Sequence, residues 1–117
     1  MCDNLETTAQ PIVLTDEEKT ALDKVSEILR HTPTIPCTGC KYCVENCPSS
    51  INIPELFRIH NQLKVYGNID ATKNRYEDRT KDGGKAGTCI ECGQCESVCP
   101  QHIKIISLLK DVAEEFE

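Results

Sequence analysis

The sequence carries one cysteine spacing twice, C-x2-C-x2-C-x3-C-P. The first run consists of Cys37, Cys40, Cys43 and Cys47 before Pro48, and the second of Cys89, Cys92, Cys95 and Cys99 before Pro100. This spacing is typical of [4Fe-4S] clusters, in which each of four irons takes one thiolate from the chain. The eight cysteines therefore predict two such clusters, and one-electron transfer is the function that they favour.

The similarity between the two halves extends beyond the cysteines. A shift of 52 residues also superposes apolar positions, namely Ile51 on Ile103, Ile53 on Ile105, Leu56 on Leu108 and Phe57 on Leu109. Such a repeat indicates one supersecondary unit written twice. We predict two loop-plus-helix units, residues 37–66 and 89–116, related by a pseudo-two-fold axis.

A helix is predicted at the N-terminal side of the first run. Thr15 and Glu18 have the spacing of a capping box, and Pro33 marks the end of the helix. One face is apolar, so we expect the helix to pack against something. The members of that face are Ala21, Leu22, Val25, Ile28 and Leu29.

Two further helices follow the cysteine runs. The first is predicted from Pro54 to Gly67, with Leu56, Ile59, Leu63 and Tyr66 on its apolar stripe, and the second covers about 104–116. Residues 68–85 are polar and are predicted to be a solvated connector that holds one short helix and a turn. Because no segment alternates with a period of two, the fold is predicted to be mainly α, with a polar extension over 1–14 and one domain over 15–117.

Composition limits the partners and the location of the chain. Aromatic residues make up only 4%, so the apolar core should be thin, and the metal-free chain is expected to be largely unfolded. The net charge of −6 disfavours nucleic acid and anionic membranes as partners. Eight thiolates and two cluster cores would take it to about −10, which favours a basic docking partner. The first residues lack an apolar signal segment, so a cytoplasmic, reducing location is expected.

Other interpretations of the cysteine pattern remain open. Two four-cysteine zinc sites are one alternative, although zinc sites usually pair two C-x2-C units across a longer gap. A structural or sensory role for iron-sulfur clusters is another. Eight thiolates already satisfy two clusters, so no ligand role is required of Cys2, His31, His60 or His102. No nucleotide-binding or hydrolase motif is complete, so no catalytic residue is predicted.

The first run lies in Ile35-Pro36-Cys37-Thr38-Gly39-Cys40-Lys41-Tyr42-Cys43 and is followed by Ile51-Asn52-Ile53-Pro54. Together with the second run, from Cys89 to Ile103, it resembles the C-terminal ferredoxin domain of iron-sulfur aldo/keto reductases over about residues 14–116. The long spacing between the runs also resembles helical dicluster ferredoxins. The resemblance implies a redox partner protein or a covalently preceding TIM-barrel reductase domain. The chain would then be an electron-transfer domain or a C-terminal fragment of such a reductase.

In two-cluster ferredoxins with this run, the fourth cysteine binds the cluster of the other run. We therefore assign the eight ligands in two crossed sets. One cluster takes Cys37, Cys40, Cys43 and Cys99. The other takes Cys89, Cys92, Cys95 and Cys47.

The charges beside the two runs differ. Lys41 accompanies Glu45 in the first loop, whereas the second loop contains Glu91 and Glu96 with no cation in the loop. Negative charge disfavours the addition of an electron. The sequence therefore predicts the lower reduction potential for the cluster on Cys89, Cys92 and Cys95.

Overall fold

The computed structural model describes residues 2–9 and 13–117, apart from the side chains of Cys2 and Thr7. The chain divides into two compact units, Met1–Thr32 and Pro33–Glu117. In the described residues of both units, regular structure is helical, and the single β-bridge joins Ile51 to Gly84. The prediction of a mainly α fold is confirmed. No helix in the described ranges is long and apolar enough to cross a bilayer.

The first unit contains two helices, α1 (Cys2–Ala9) and α2 (Asp16–His31). The predicted capping box is present, because Glu18 N donates to Thr15 Oγ1 at 3.3 Å and Thr15 N donates to Glu18 Oε2 at 2.8 Å. The expectation that the apolar face of α2 packs against something stays a prediction. Val25 is 53% exposed and Ile28 is 67% exposed, and no residue of α2 is buried.

The second unit contains five helices and one 3-10 turn. These are α3 (Tyr42–Glu45), α4 (Ile53–Tyr66), α5 (Ile69–Thr80), the 3-10 turn Ala86–Thr88, α6 (Gln94–Ser97) and α7 (Ile105–Phe116). Helix α4 begins one residue before the predicted Pro54, and Gly67 in a left-handed conformation ends it as expected. Tyr66 is 78% exposed, so it does not belong to the apolar stripe of α4.

The internal repeat is visible in the backbone. Helices α3 and α6 superpose under the 52-residue shift, and so do the starts of α4 and α7. The left-handed residues of the two loops also match in pairs, Gly39 with Glu91, Lys41 with Gly93 and Ser50 with His102. The chain thus builds the same loop conformation twice.

The core of the second unit lies between α4, α5 and α7. Ile53, Leu56, Ile59, Leu109 and Val112 are at most 2% exposed. Helix α5 belongs to this core, which corrects the prediction that 68–85 is a solvated connector. Its Tyr76 is 1% exposed and stacks on Phe116, with ring centroids 5.0 Å apart and an interplanar angle of 9°.

Candidate metal centre

The eight cysteines line two small cavities in the second unit. One cavity is lined by four of them, Cys37, Cys40, Cys43 and Cys99. The other is lined by Cys47, Cys89, Cys92 and Cys95. We call them the first and the second cavity. Each fourth cysteine thus lies with the three cysteines of the other run.

The exposure of the cysteines follows the repeat. Cys43 and Cys95, the third of each run, are buried, and Cys40 and Cys92 are exposed. The first and fourth cysteines of each run are partly buried. Each cavity therefore has one sulfur at the protein surface and one in the core.

The walls between the sulfur atoms are mostly apolar. Phe57, Ile103 and Ile105 line the first cavity, and Ile51, Ile106 and Leu109 line the second. No group of three His, Cys, Asp or Glu side chains within the described ranges converges on a point where one metal ion would sit. A four-iron cluster makes a different demand, because its four thiolates bind four separate irons. Two small apolar cavities with four cysteines each fit that demand.

Burial raises the pKa of the Cys43 thiol to about 11, with smaller contributions from Cys37, Cys95 and Cys40. The pKa of Cys95 is also raised, mainly by burial. Both thiols are therefore protonated at neutral pH in the metal-free chain. Metal ligands must be thiolates, so binding of iron releases these protons.

Backbone geometry explains the local shape of the loops. Gly39 and Gly93 have φ angles of 71° and 77°, and an added Cβ on either would meet no protein atom within 4 Å. Left-handed φ angles, rather than crowding by the protein, account for these glycines. After each fourth cysteine the chain turns in the same way, since Ser50 N donates to Cys47 O at 3.0 Å and His102 N donates to Cys99 O at 3.1 Å.

The entry to the first cysteine run is held by α4. Asn61 accepts from Ile35 N through Oδ1 at 2.7 Å and donates to Ile35 O through Nδ2 at 2.8 Å. These two bonds fix the backbone two residues before Cys37. Sequence reasoning missed Asn61, because a single amide in a helix gives no signal of its partner.

The entry to the second run is held by Tyr76 and Glu117. Ala86 N donates to the Tyr76 hydroxyl at 2.8 Å, and that hydroxyl donates to Glu117 Oε1 at 2.6 Å. Glu117 Oε1 also accepts from Gly87 N at 3.0 Å. Burial, aided by Glu117, raises the pKa of Tyr76, so its hydroxyl remains a donor. These bonds fix the 3-10 turn that leads into Cys89.

The two loops also contact each other. Ser49 Oγ donates to Thr88 O at 2.9 Å, and Gly84 N donates to Ser50 O at 3.0 Å. An added Cβ on Gly84 would collide with the carbonyl oxygen of Ser49. Glycine is therefore required where the segment before the second run passes the end of the first.

The charges beside the second loop differ from the sequence-based expectation. Glu91 Oε1 lies 2.8 Å from Lys110 Nζ, and Glu96 Oε1 accepts from Ile106 N at 2.9 Å. Glu91 is therefore opposed by a cation from outside the loop, whereas the partner of Glu96 is a backbone amide of α7. The histidines lie elsewhere: neither His31 nor His60 lines either cavity, and His102 follows Cys99 without lining one.

Comparison with known families agrees with this geometry. The model of the 4Fe-4S dicluster domain family matches residues 36–103, which is more than half of the chain. The chain belongs to this family. No curated protein and no solved structure matched the chain.

The 4Fe-4S dicluster domain binds two [4Fe-4S] clusters. The matched residues include both cysteine runs and end at Ile103, just before α7. A dicluster domain with these eight cysteines fits a ferredoxin-like electron-transfer role. Helices α1 and α2 lie outside the matched range.

Proposed function

We propose that this dicluster domain relays single electrons between a donor and a partner oxidoreductase. The observation that carries the proposal is the pairing of two four-cysteine cavities within one small unit. Each bound cluster supplies a one-electron redox couple. The chain contributes the thiolates, the apolar walls and the exposed edges.

The proposed ligands are the crossed sets. Cys37, Cys40, Cys43 and Cys99 hold one cluster, and Cys89, Cys92, Cys95 and Cys47 hold the other. Support comes from the cavities, because Cys99 lies with the first run and Cys47 with the second. With this crossing each cluster joins two segments that are distant in the sequence, so cluster binding also stabilises the fold.

Electrons would enter and leave at the exposed edges of the cavities. Cys40 and Cys92 are exposed, and each lies beside an exposed apolar side chain, Tyr42 at 61% and Ile90 at 64%. A partner can approach these edges closely without entering the core. The buried Cys43 and Cys95 lie away from the surface and face the interior.

The proposed partner is either a redox partner protein or a covalently preceding TIM-barrel reductase domain of the aldo/keto type. The motif resemblance around both cysteine runs supports this proposal. The acidic charge, about −10 with both clusters oxidised, favours a basic docking surface on the partner. Electron transfer to such a partner should slow as the salt concentration rises, because exposed charges are screened.

Two matched double variants test the ligand sets. If the sets are crossed, Cys37→Ala with Cys99→Ala removes ligands from one cluster and leaves about four irons per chain. Cys37→Ala with Cys47→Ala then damages both clusters. The opposite pattern of iron and sulfide content would show that each run holds its own cluster.

The relay itself is tested by a reductive titration followed by electron paramagnetic resonance. Reversible one-electron reduction of both clusters is expected. Clusters that bind stoichiometrically but do not reduce at any accessible potential would identify a structural role instead. Zinc in place of iron and sulfide would contradict the function as a whole.

A further inference from the structure

Ile53 is the one described residue that lines both cysteine cavities. It lies at the start of α4 and is 1% exposed. The remaining lining residues belong either to the first cavity or to the second. The side chain of Ile53 therefore stands between the two sites.

The backbone that carries this side chain is held by hydrogen bonds on both sides. Ile53 N donates to Ile51 O at 2.9 Å, and the next turn begins with Leu56 N donating to Asn52 O at 3.1 Å. Isoleucine is also restricted at χ1 because it is branched at Cβ. The side chain of Ile53 thus has little conformational freedom.

The repeat provides an internal comparison. Ile105 occupies the equivalent position at the start of α7 and is 2% exposed. It lines the first cavity but not the second. Two residues of equal type, burial and helix position therefore differ in how many cavities they contact.

We propose that Ile53 is a water-excluding partition that couples the reduction of one cluster to that of the other. This inference rests on the proposed function. An electron added on one side of the partition repels a second electron on the other side, and the repulsion is stronger across an apolar medium than across water. A buried aliphatic side chain offers water no hydrogen-bond partner, so it keeps that medium apolar.

The test compares Ile53→Thr with Ile105→Thr in the two-cluster protein. Threonine keeps the branch at Cβ but is smaller and polar, so it admits water. The reduction potential of a cluster depends on its exposure to solvent. Ile53→Thr should shift the midpoint potentials of both reduction steps upward and narrow their separation. Ile105→Thr should shift one step. The readout is a reductive titration followed by electron paramagnetic resonance.

A shift of one step or of neither in Ile53→Thr would overturn the inference, and so would a shift of both steps that leaves their separation unchanged. If iron and sulfide analysis shows that Ile53→Thr does not load two clusters, Ile53→Ala supplies the same test, because it removes the side chain that fills the partition and leaves room for water between the clusters. A wild-type protein that shows no reversible reduction would instead refute the proposed function. The two failures are therefore distinguishable.

Discussion

Replacing Tyr76 with phenylalanine should loosen the second cysteine run without changing any cysteine. The phenol ring stacks on Phe116, and a phenylalanine ring retains that contact. Only the hydroxyl is lost, together with its bonds to Ala86 N and Glu117 Oε1. The substitution therefore isolates the hydrogen bonds that hold the 3-10 turn before Cys89.

The expected cost comes mainly from Ala86. Its N–H group belongs to a residue that is 1% exposed, so water does not replace the lost acceptor. A buried donor left unpaired costs about 1–3 kcal/mol. Glu117 is exposed and keeps its bond from Gly87 N, so its carboxylate adds little to the cost. We expect the free energy of unfolding to fall by about 2 kcal/mol.

The assay is the rate of cluster release in guanidinium under anaerobic conditions, followed by iron-sulfur absorbance. If the hydroxyl bonds break before release, a loss of about 2 kcal/mol accelerates release by about thirtyfold. Tyr66→Phe is the matched control, because Tyr66 is 78% exposed. Glu117→Gln keeps an acceptor for Tyr76 and should have a smaller effect. Release from Tyr76→Phe at the wild-type rate would refute the reasoning.

Three further predictions concern the whole domain. Removal of iron should abolish most of the helical circular dichroism signal, since both clusters join distant segments; a cooperatively melting helical apo form would contradict this. Burial and the nearby charge of Lys64 lower the pKa of His60 below its usual value, although Glu115 and Asp111 act in the opposite direction. The unfolded chain then binds the proton more readily, so the melting temperature should decrease as the pH falls below about 6.5, and less so in His60→Leu. Lys110→Gln leaves Glu91 unpaired and should lower the potential of the adjacent cluster in a redox titration, an effect that salt reduces.

Much of the fold could be predicted because its determinants are local. The capping box at Thr15 and Glu18, the stop at Gly67 and the repeated loop starts depend on residues a few positions apart. The role of α5 could not be predicted in this way. The buried residues of α5 are Thr72, Tyr76 and Thr80. Two threonines and one tyrosine do not form an apolar stripe, so the sequence pattern gives no sign that this helix face is buried.

The sequence by itself determined the cofactor and the repeat, because cysteine spacing within each loop is a local property and recurs after 52 residues. Only the tertiary structure decided which side chains surround each cavity. It brought Cys99 to the first run and Cys47 to the second, placed Lys110 on Glu91, and set Ile53 between the cavities. These contacts join residues from separate elements, and their geometry depends on how α4, α5 and α7 pack around the shared core.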